Sequence, residues 1–428
     1  MPVMDEKNNL PEEGSLPVSP DSTIPEEPLF REPQQPPKKK RSGIGYVLTA
    51  VITFVLTVAL IFALLPLVQR HEVAFSKLDQ LEYLIQNRFI GDVDTTKMED
   101  AAAAGMVASL GDRWSYYISA ADYANYMDSM NNSYVGVGMT VGNRQDGKGI
   151  DIRAVNEGGP AQEQGVQSGD ILIRVDDTDV AGMNVAEVRE LVLGEEGTSV
   201  SLTVLRNEAE MTFNVPRKHF DTPVATGRML ENNCGLVTIE NFNARCSEET
   251  IAAIEDLIGQ GATSLIFDVR NNPGGYKHEL VKVLDYLLPE GILFQSEDYS
   301  GEKETDMSDA SFVDLPMMVL VNSESYSAAE FFAAALKDYG AAEIVGQHTV
   351  GKGYFQITTQ LQDGSAVGLS MGKYYTPKGV SLAEAGGLDP DYPVEVDQET
   401  FLDIYAGLLD PEKDPQIQKA WELLQNDR

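Results

Sequence analysis

The sequence predicts an α/β domain with a central sheet, a small β-rich domain before it, an N-terminal helical segment and a single transmembrane helix. Three observations carry this. After Pro216, short apolar runs ("GLVTI", "SLIFDVRNNPGG", "PMMVLV", "AEIVG") alternate with amphipathic stretches of helical length, the pattern of an α/β unit. From Tyr134 the pattern is of short β-rich runs broken by glycine, such as "YVGVGMTV" and "GDILIRVDDTDV". Further upstream, Gly43 to Val68 contains no charged residue.

Residues 1–42, rich in Pro, Glu and Ser and ending in "KKKRS", cannot bury enough apolar surface to fold and read as a disordered tail. The run 43–68 supplies the roughly 20 apolar residues a bilayer crossing needs. Lys38, Lys39, Lys40 and Arg41 precede it, whereas Arg70 stands alone near its far end. That asymmetry places the tail in the cytoplasm and everything after about residue 70 outside the cell membrane.

Residues 73–130 read as helical. Leu78, Leu81 and Ile85 share one face, and Thr96 with Glu99 forms a capping box. The apolar face suits either packing on the next domain or a homodimer surface. A compact domain spans 134–218, the α/β domain spans 219–397, and a C-terminal helical segment covers 398–428.

The chain has 428 residues, with 67 acidic and 32 basic side chains and a formal net charge of −35. A basic nucleic-acid surface is excluded by that balance. Cys234 and Cys246 flank a predicted strand; six extended residues span about 20 Å, beyond the roughly 7 Å that a disulfide tolerates, so two unbridged thiols are expected. His71, His219, His278 and His348 lie far apart, with no HExxH and no CxxC, so no catalytic metal is expected. His348 is the available histidine for a Ser/His pair, but nothing in the sequence orients it.

Ser327 and Lys352 make the stronger pair. A hydroxyl becomes a nucleophile when a base takes its proton, and a lysine is that base only when neutral. Burial lowers an amine from about 10.4 towards the 7–8 useful at neutral pH. Lys352, isolated in "VGKGYFQ" between Gly351 and Gly353, suits such a dry setting. Ser327 sits between the strand "MMVLV" and the helix "AAEFFAAAL", so helix N-terminal amides, Ala328 first, face a developing oxyanion. The turn "RNNPGG" offers a second donor, from Gly274 or Gly275. Asp338 reads as helix-end structure.

Two resemblances sharpen this. "GVGMTV" and "GGPAQEQGVQSGDILIRVDDTDVAGM" resemble a PDZ domain, which implies that Val137, Gly138 and Met139 receive a peptide C terminus beside the Val185–Leu193 helix. The stretches "LGDRWSYY", "DVRNNPGG", "SYSAAEFFAAALKDYG", "VGKGYFQ" and "YYTPKG" resemble the C-terminal processing peptidases, or tail-specific serine proteases, from about residue 73 to the C terminus. The resemblance implies Ser327, three residues before Glu330, as nucleophile, Lys352 as base and Gln356 as the residue that steadies the lysine. It implies no cofactor and a protein substrate with an apolar C-terminal tail. Glu324 and Tyr326 depart from the alternating serines and alanines usual in this family. A straight strand would hold Lys352 and Gln356 about 13 Å apart, so a bend near Gly353 is expected. A non-catalytic PDZ adaptor on the same scaffold is the alternative reading.

Overall fold

The structure is a computed structural model and describes residues 43–69 and 76–426, apart from positions 145, 157, 406 and 408. The predicted tail 1–42 with its basic cluster, Arg70 and His71 lie outside the described residues. The chain divides into two compact units, one ending at Val93 and one beginning at Asp94.

The first unit contains a helix over Gly43–Gln69 and a second over Lys77–Arg88. Among the described residues no helix is long and apolar enough to cross a membrane. The part of the first helix with described side chains, Tyr46 to Leu60, is shorter than the roughly 20 residues of a span. The second helix starts at Ser76 through a reciprocal capping box with Asp79. Leu78 and Leu81 on its apolar face are exposed.

The second unit opens with the helix Thr95–Ala108, capped by Asp94, whose carboxylate accepts from the Lys97 N–H at 3.1 Å. It therefore starts ahead of the expected Thr96/Glu99 box. Residues 73–130 are not helical throughout: Tyr116–Ile118 is a strand, followed by the helix Ala120–Met130.

The β-rich module is an antiparallel sheet in the order Met139–Asn143, Ile150–Val155, Ile171–Val175, Ser199–Arg206, Ala209–Pro216. Its alternating inward residues, among them Ile150, Leu172, Val200 and Val204, close a separate apolar core. The helix Val185–Val192 packs beside the edge strand Met139–Asn143, with the Val185 N–H donating to Asn143 Oδ1 at 2.9 Å. The strands that enter and leave the module, Ser133–Gly136 and Lys218–Asp221, pair with each other.

One central sheet was expected downstream; two are present. The first runs Ala225–Met229, Cys234–Ile239, Ser264–Asp268, Met317–Val321, Ala342–Gly346, Tyr392–Pro393, parallel from the second strand onward. Ser264–Asp268 and Met317–Val321 are buried at every position, as strands covered on both faces require. The second sheet is antiparallel and joins Tyr116–Ile118, Ala366–Tyr375, Gly291–Asp298 and Lys303–Ser308, with Tyr354–Gln360 also on Ala366–Tyr375.

The helix Ala328–Tyr339 lies between the two sheets, and every side chain from Ala328 to Leu336 is buried. Small alanines permit this close packing, while Phe332 meets Phe267 at 5.4 Å on one side and Phe331 meets Phe294 at 4.6 Å on the other. Each such phenylalanine contributes about 1.5–3 kcal/mol by burial. The C-terminal helix Pro415–Asn426 covers the outer face of the parallel sheet through Ile417, Ala420 and Leu424. Arg270, buried, ties the end of the Ser264–Asp268 strand to that helix by pairing with Asp268 at 2.6 Å and Asp414 at 2.8 Å. Cys234 and Cys246 are both buried and not joined by a disulfide, as expected, and burial pushes the Cys246 thiol up to about 12.

Candidate active site

The site lies where α/β sheets place their loops, at the carboxyl ends of the parallel strands. After Met317–Val321 the chain makes a tight turn in which Ser325 Oγ accepts from the Asn322 N–H and donates to the Val269 carbonyl at 2.7 Å. Asn322 and Asn271 exchange two hydrogen bonds, of 2.9 and 2.7 Å. The loops after two neighbouring strands are thereby fastened together, and Ser327 emerges from the second with φ +60° and ψ −120°. A non-glycine residue held there is strained, and a packed surround is what sustains such strain at a half-buried serine.

Gly274 makes that surround possible. With φ +90°, its position would bring a Cβ to 2.7 Å from Ser327 Cβ and 2.8 Å from the Ala328 nitrogen, so only glycine fits. Its own amide donates to Asn272 Oδ1 at 2.8 Å. Of the expected oxyanion donors, the N–H groups of Gly275 and Ala328 are the two with no acceptor among the described residues.

Glu330, fully buried in the first turn of the helix, gathers the site. Its Oε2 accepts from the Ser327 N–H and from the Lys352 N–H, each at 3.0 Å. Its Oε1 accepts from the Thr349 hydroxyl at 2.5 Å and the Gly351 N–H at 2.6 Å. One carboxylate therefore fixes the backbone of Ser327 and of Lys352 together. In sequence Glu330 served only to locate the serine; its role was hidden because three of its four donors are main-chain amides.

Lys352 is half-buried, with Nζ 4.9 Å from the centre of the Trp114 ring. Desolvation lowers its pKa to about 8, against the opposing pull of Asp112 and Glu330. Gly353 carries no φ demand, but a Cβ there would sit 2.6 Å from the Ala383 nitrogen; close packing accounts for it. The Tyr374 hydroxyl donates to the Lys352 carbonyl. Gln356 donates to the Tyr354 carbonyl at 3.2 Å and to Ser370 Oγ at 3.0 Å, and no hydrogen bond joins it to Lys352 among the described residues. The expected bend is a register shift between Phe355 and Gln356 rather than at Gly353.

Trp114 is a residue the motif "LGDRWSYY" contained but no periodicity could place. It stacks on Tyr326 at 5.8 Å, so one of the two departures in the serine turn is a partner for the aromatic wall beside the lysine. His348 is engaged elsewhere: Nδ1 meets Asp389 at 2.7 Å and Nε2 meets the Gly386 carbonyl at 2.9 Å, and the Asp389 carboxylate raises its pKa. Asp338 accepts from the Lys378 N–H at 3.0 Å near the helix end, as expected of it. In the β-rich module Val137 is buried, Gly138 holds φ +74°, and Met139 begins the edge strand beside the Val185–Val192 helix.

A strained serine at a strand-to-helix turn, unengaged amides beside it and a desolvated lysine gather at this end of the parallel sheet. Residues 233–394 match the peptidase family S41, residues 152–206 match a PDZ domain, and residues 67–122 match the activating protease CtpB N-terminal domain. The carboxy-terminal processing protease CtpA of Bacillus subtilis is 30% identical over 315 residues, which cover 73% of this chain and 67% of that one. A probable CtpA-like serine protease of Staphylococcus haemolyticus is 28% identical over 362 residues, covering 84% and 72%. A solved structure titled as an S41 protease of Bacteroides fragilis shares the fold with a TM-score of 0.56 at 16% identity, covering 82% of this chain and 97% of that one. The chain belongs to peptidase family S41, among the C-terminal processing serine proteases.

Proposed function

We propose that this chain is a membrane-anchored endopeptidase that captures the apolar C-terminal tail of a protein in its PDZ domain and cuts that protein with Ser327 and Lys352. The observation that carries the reading is the single buried carboxylate of Glu330, which accepts from the backbone of both residues. Lys352, neutral in part at physiological pH, takes the Ser327 proton as Oγ attacks the carbonyl. The N–H groups of Gly275 and Ala328 hold the oxyanion, the Lys352 ammonium gives the proton to the leaving amine as the C–N bond breaks, and water then hydrolyses the acyl-enzyme. The edge strand Met139–Asn143 offers unpaired main-chain groups to which an extended tail adds, and the loop Val137–Gly138 receives its carboxylate.

Tail capture is tested with the full-length protein and one substrate protein prepared with a free or an amidated C terminus. The free form is expected to be cut on the order of 10-fold faster, chelators are expected to change nothing, and Ser327→Ala is the blank. Equal rates on both forms would remove tail capture. Binding without any Ser327-dependent product would instead favour the adaptor reading.

The anchor rests on the uncharged run Gly43–Val68 preceded by Lys38, Lys39, Lys40 and Arg41. Protease added to intact cells is expected to digest the region after residue 70 and spare the tail; protection of the PDZ domain in sealed cells would overturn this orientation. The exposed Leu78 and Leu81 support a homodimer through the Lys77–Arg88 helix.

A further inference from the structure

A cleft of about 870 Å³ opens beside Trp114, between the loop Leu110–Ser115 and the rim of the antiparallel sheet at Glu297–Tyr299 and Leu369–Lys373. Trp114 faces both ways: it borders this cleft, and its ring lies under Lys352 Nζ. The cleft therefore adjoins the aromatic wall beside the lysine.

The charged side chains that line it differ in one respect. Asp112 turns its carboxylate to the Ser115 hydroxyl at 2.6 Å and the Trp114 N–H at 3.1 Å. Glu297 pairs with Lys303 at 3.4 Å, and Lys373 pairs with Glu384 at 3.1 Å. Asp298 accepts from Ser300 and from the Glu302 N–H. Arg113 alone among them makes no side-chain hydrogen bond or ion pair among the described residues, in a chain with 67 acidic and only 32 basic side chains.

It nonetheless has one ring contact. The guanidinium lies 4.1 Å from the centre of the Trp114 ring, and Trp114 is itself held by stacking on Tyr326. Contact with the ring face uses none of the guanidinium N–H groups, so all of them remain for a partner that enters the cleft. A planar fork of this kind matches a carboxylate.

We propose that Arg113 is a carboxylate-binding subsite for the substrate segment in this cleft, so that the peptidase selects chains with an acidic group close to the scissile bond. The proposal rests on the peptidase reading above. The carboxylate has two sources, an acidic side chain or the terminal carboxylate of a short tail.

The test uses the full-length protein and peptides in which one Glu is moved along the positions flanking the scissile bond. Each peptide is paired with its Gln isostere, and each is made with a free and an amidated C terminus. At one position wild type is expected to favour Glu over Gln by about 10-fold in kcat/KM at low salt. Arg113→Gln is expected to bring that ratio near one, and Arg113→Glu to invert it towards a Lys peptide. If Arg113→Gln instead removes the free-over-amide preference, the terminal carboxylate is the ligand and the subsite stands. If neither ratio changes, the subsite is overturned while peptide cleavage still supports the protease. Binding of the same peptides to Ser327→Ala separates the two readings from the other side. A Glu preference that Arg113→Gln abolishes there, without wild-type turnover, keeps the subsite and sinks the protease.

Discussion

Ser327→Ala and Lys352→Ala are each expected to lower kcat/KM on a tail-bearing substrate by on the order of 10⁴-fold or more, if the two act as the proposed unit. Neither costs the fold. The Ser327 side chain is half-buried at a loop, and Lys352 makes no ion pair among the described residues, so its removal relieves a desolvated amine at the cost of one contact with the Trp114 ring. Thermal melts within a few degrees of wild type are expected to accompany the lost activity. Gln356→Ala costs less, since its amide reaches Tyr354 and Ser370.

The pH profile carries the same assignment. On the proposed mechanism activity needs the neutral amine, so kcat/KM is expected to rise with pH, with an acid limb centred near the Lys352 value of about 8. The Asp112 charge favours the ammonium and so raises that value; Asp112→Asn is expected to move the limb to lower pH. Activity within 10-fold of wild type in Lys352→Ala, or an acid limb near 6, would remove the lysine as base.

The elements that were legible in sequence are those whose pattern is local. "MMVLV" followed by "AAEFFAAAL" states a buried strand and a buried helix, and the serine between them needs no tertiary information. The antiparallel sheet escaped for the opposite reason. Lys303–Ser308 reads "KETDMS", with no apolar alternation, because its strand lies at the sheet edge with most side chains outside the core. Tyr116–Ile118 is too short for any periodicity and owes its conformation to Ala366–Gly368. Lys352 as a desolvated amine was legible from its glycines. Its neighbour Trp114 was not, because their meeting depends on the second sheet being carried back over the serine turn.

Glu330→Gln is the substitution expected to do most damage for its size. All four groups around the carboxylate donate: the N–H of Ser327 and Lys352 on one oxygen, Thr349 and Gly351 on the other. A carboxamide presents one oxygen and one NH₂, so in either orientation two donors meet a donor inside a fully buried space. Two unsatisfied buried donors cost roughly 2–6 kcal/mol, a large part of an ordinary domain's stability. The loss has a catalytic part distinct from unfolding. With the N–H groups of Ser327 and Lys352 released from a common anchor, nucleophile and base drift relative to each other, and misplacement of about 1 Å costs on the order of 10²-fold. The distinguishing measurement is therefore kcat against KM at a temperature where calorimetry shows the variant folded. Glu330 touches no substrate in this arrangement, so kcat falls and KM holds. Thr349→Val supplies the graded control, removing one donor on the oxygen not shared by the two residues: it should cost stability and leave kcat within a few-fold of wild type. A folded Glu330→Gln protein with wild-type kcat would show that the carboxylate only packs the helix and that Ser327 and Lys352 are aligned by something else.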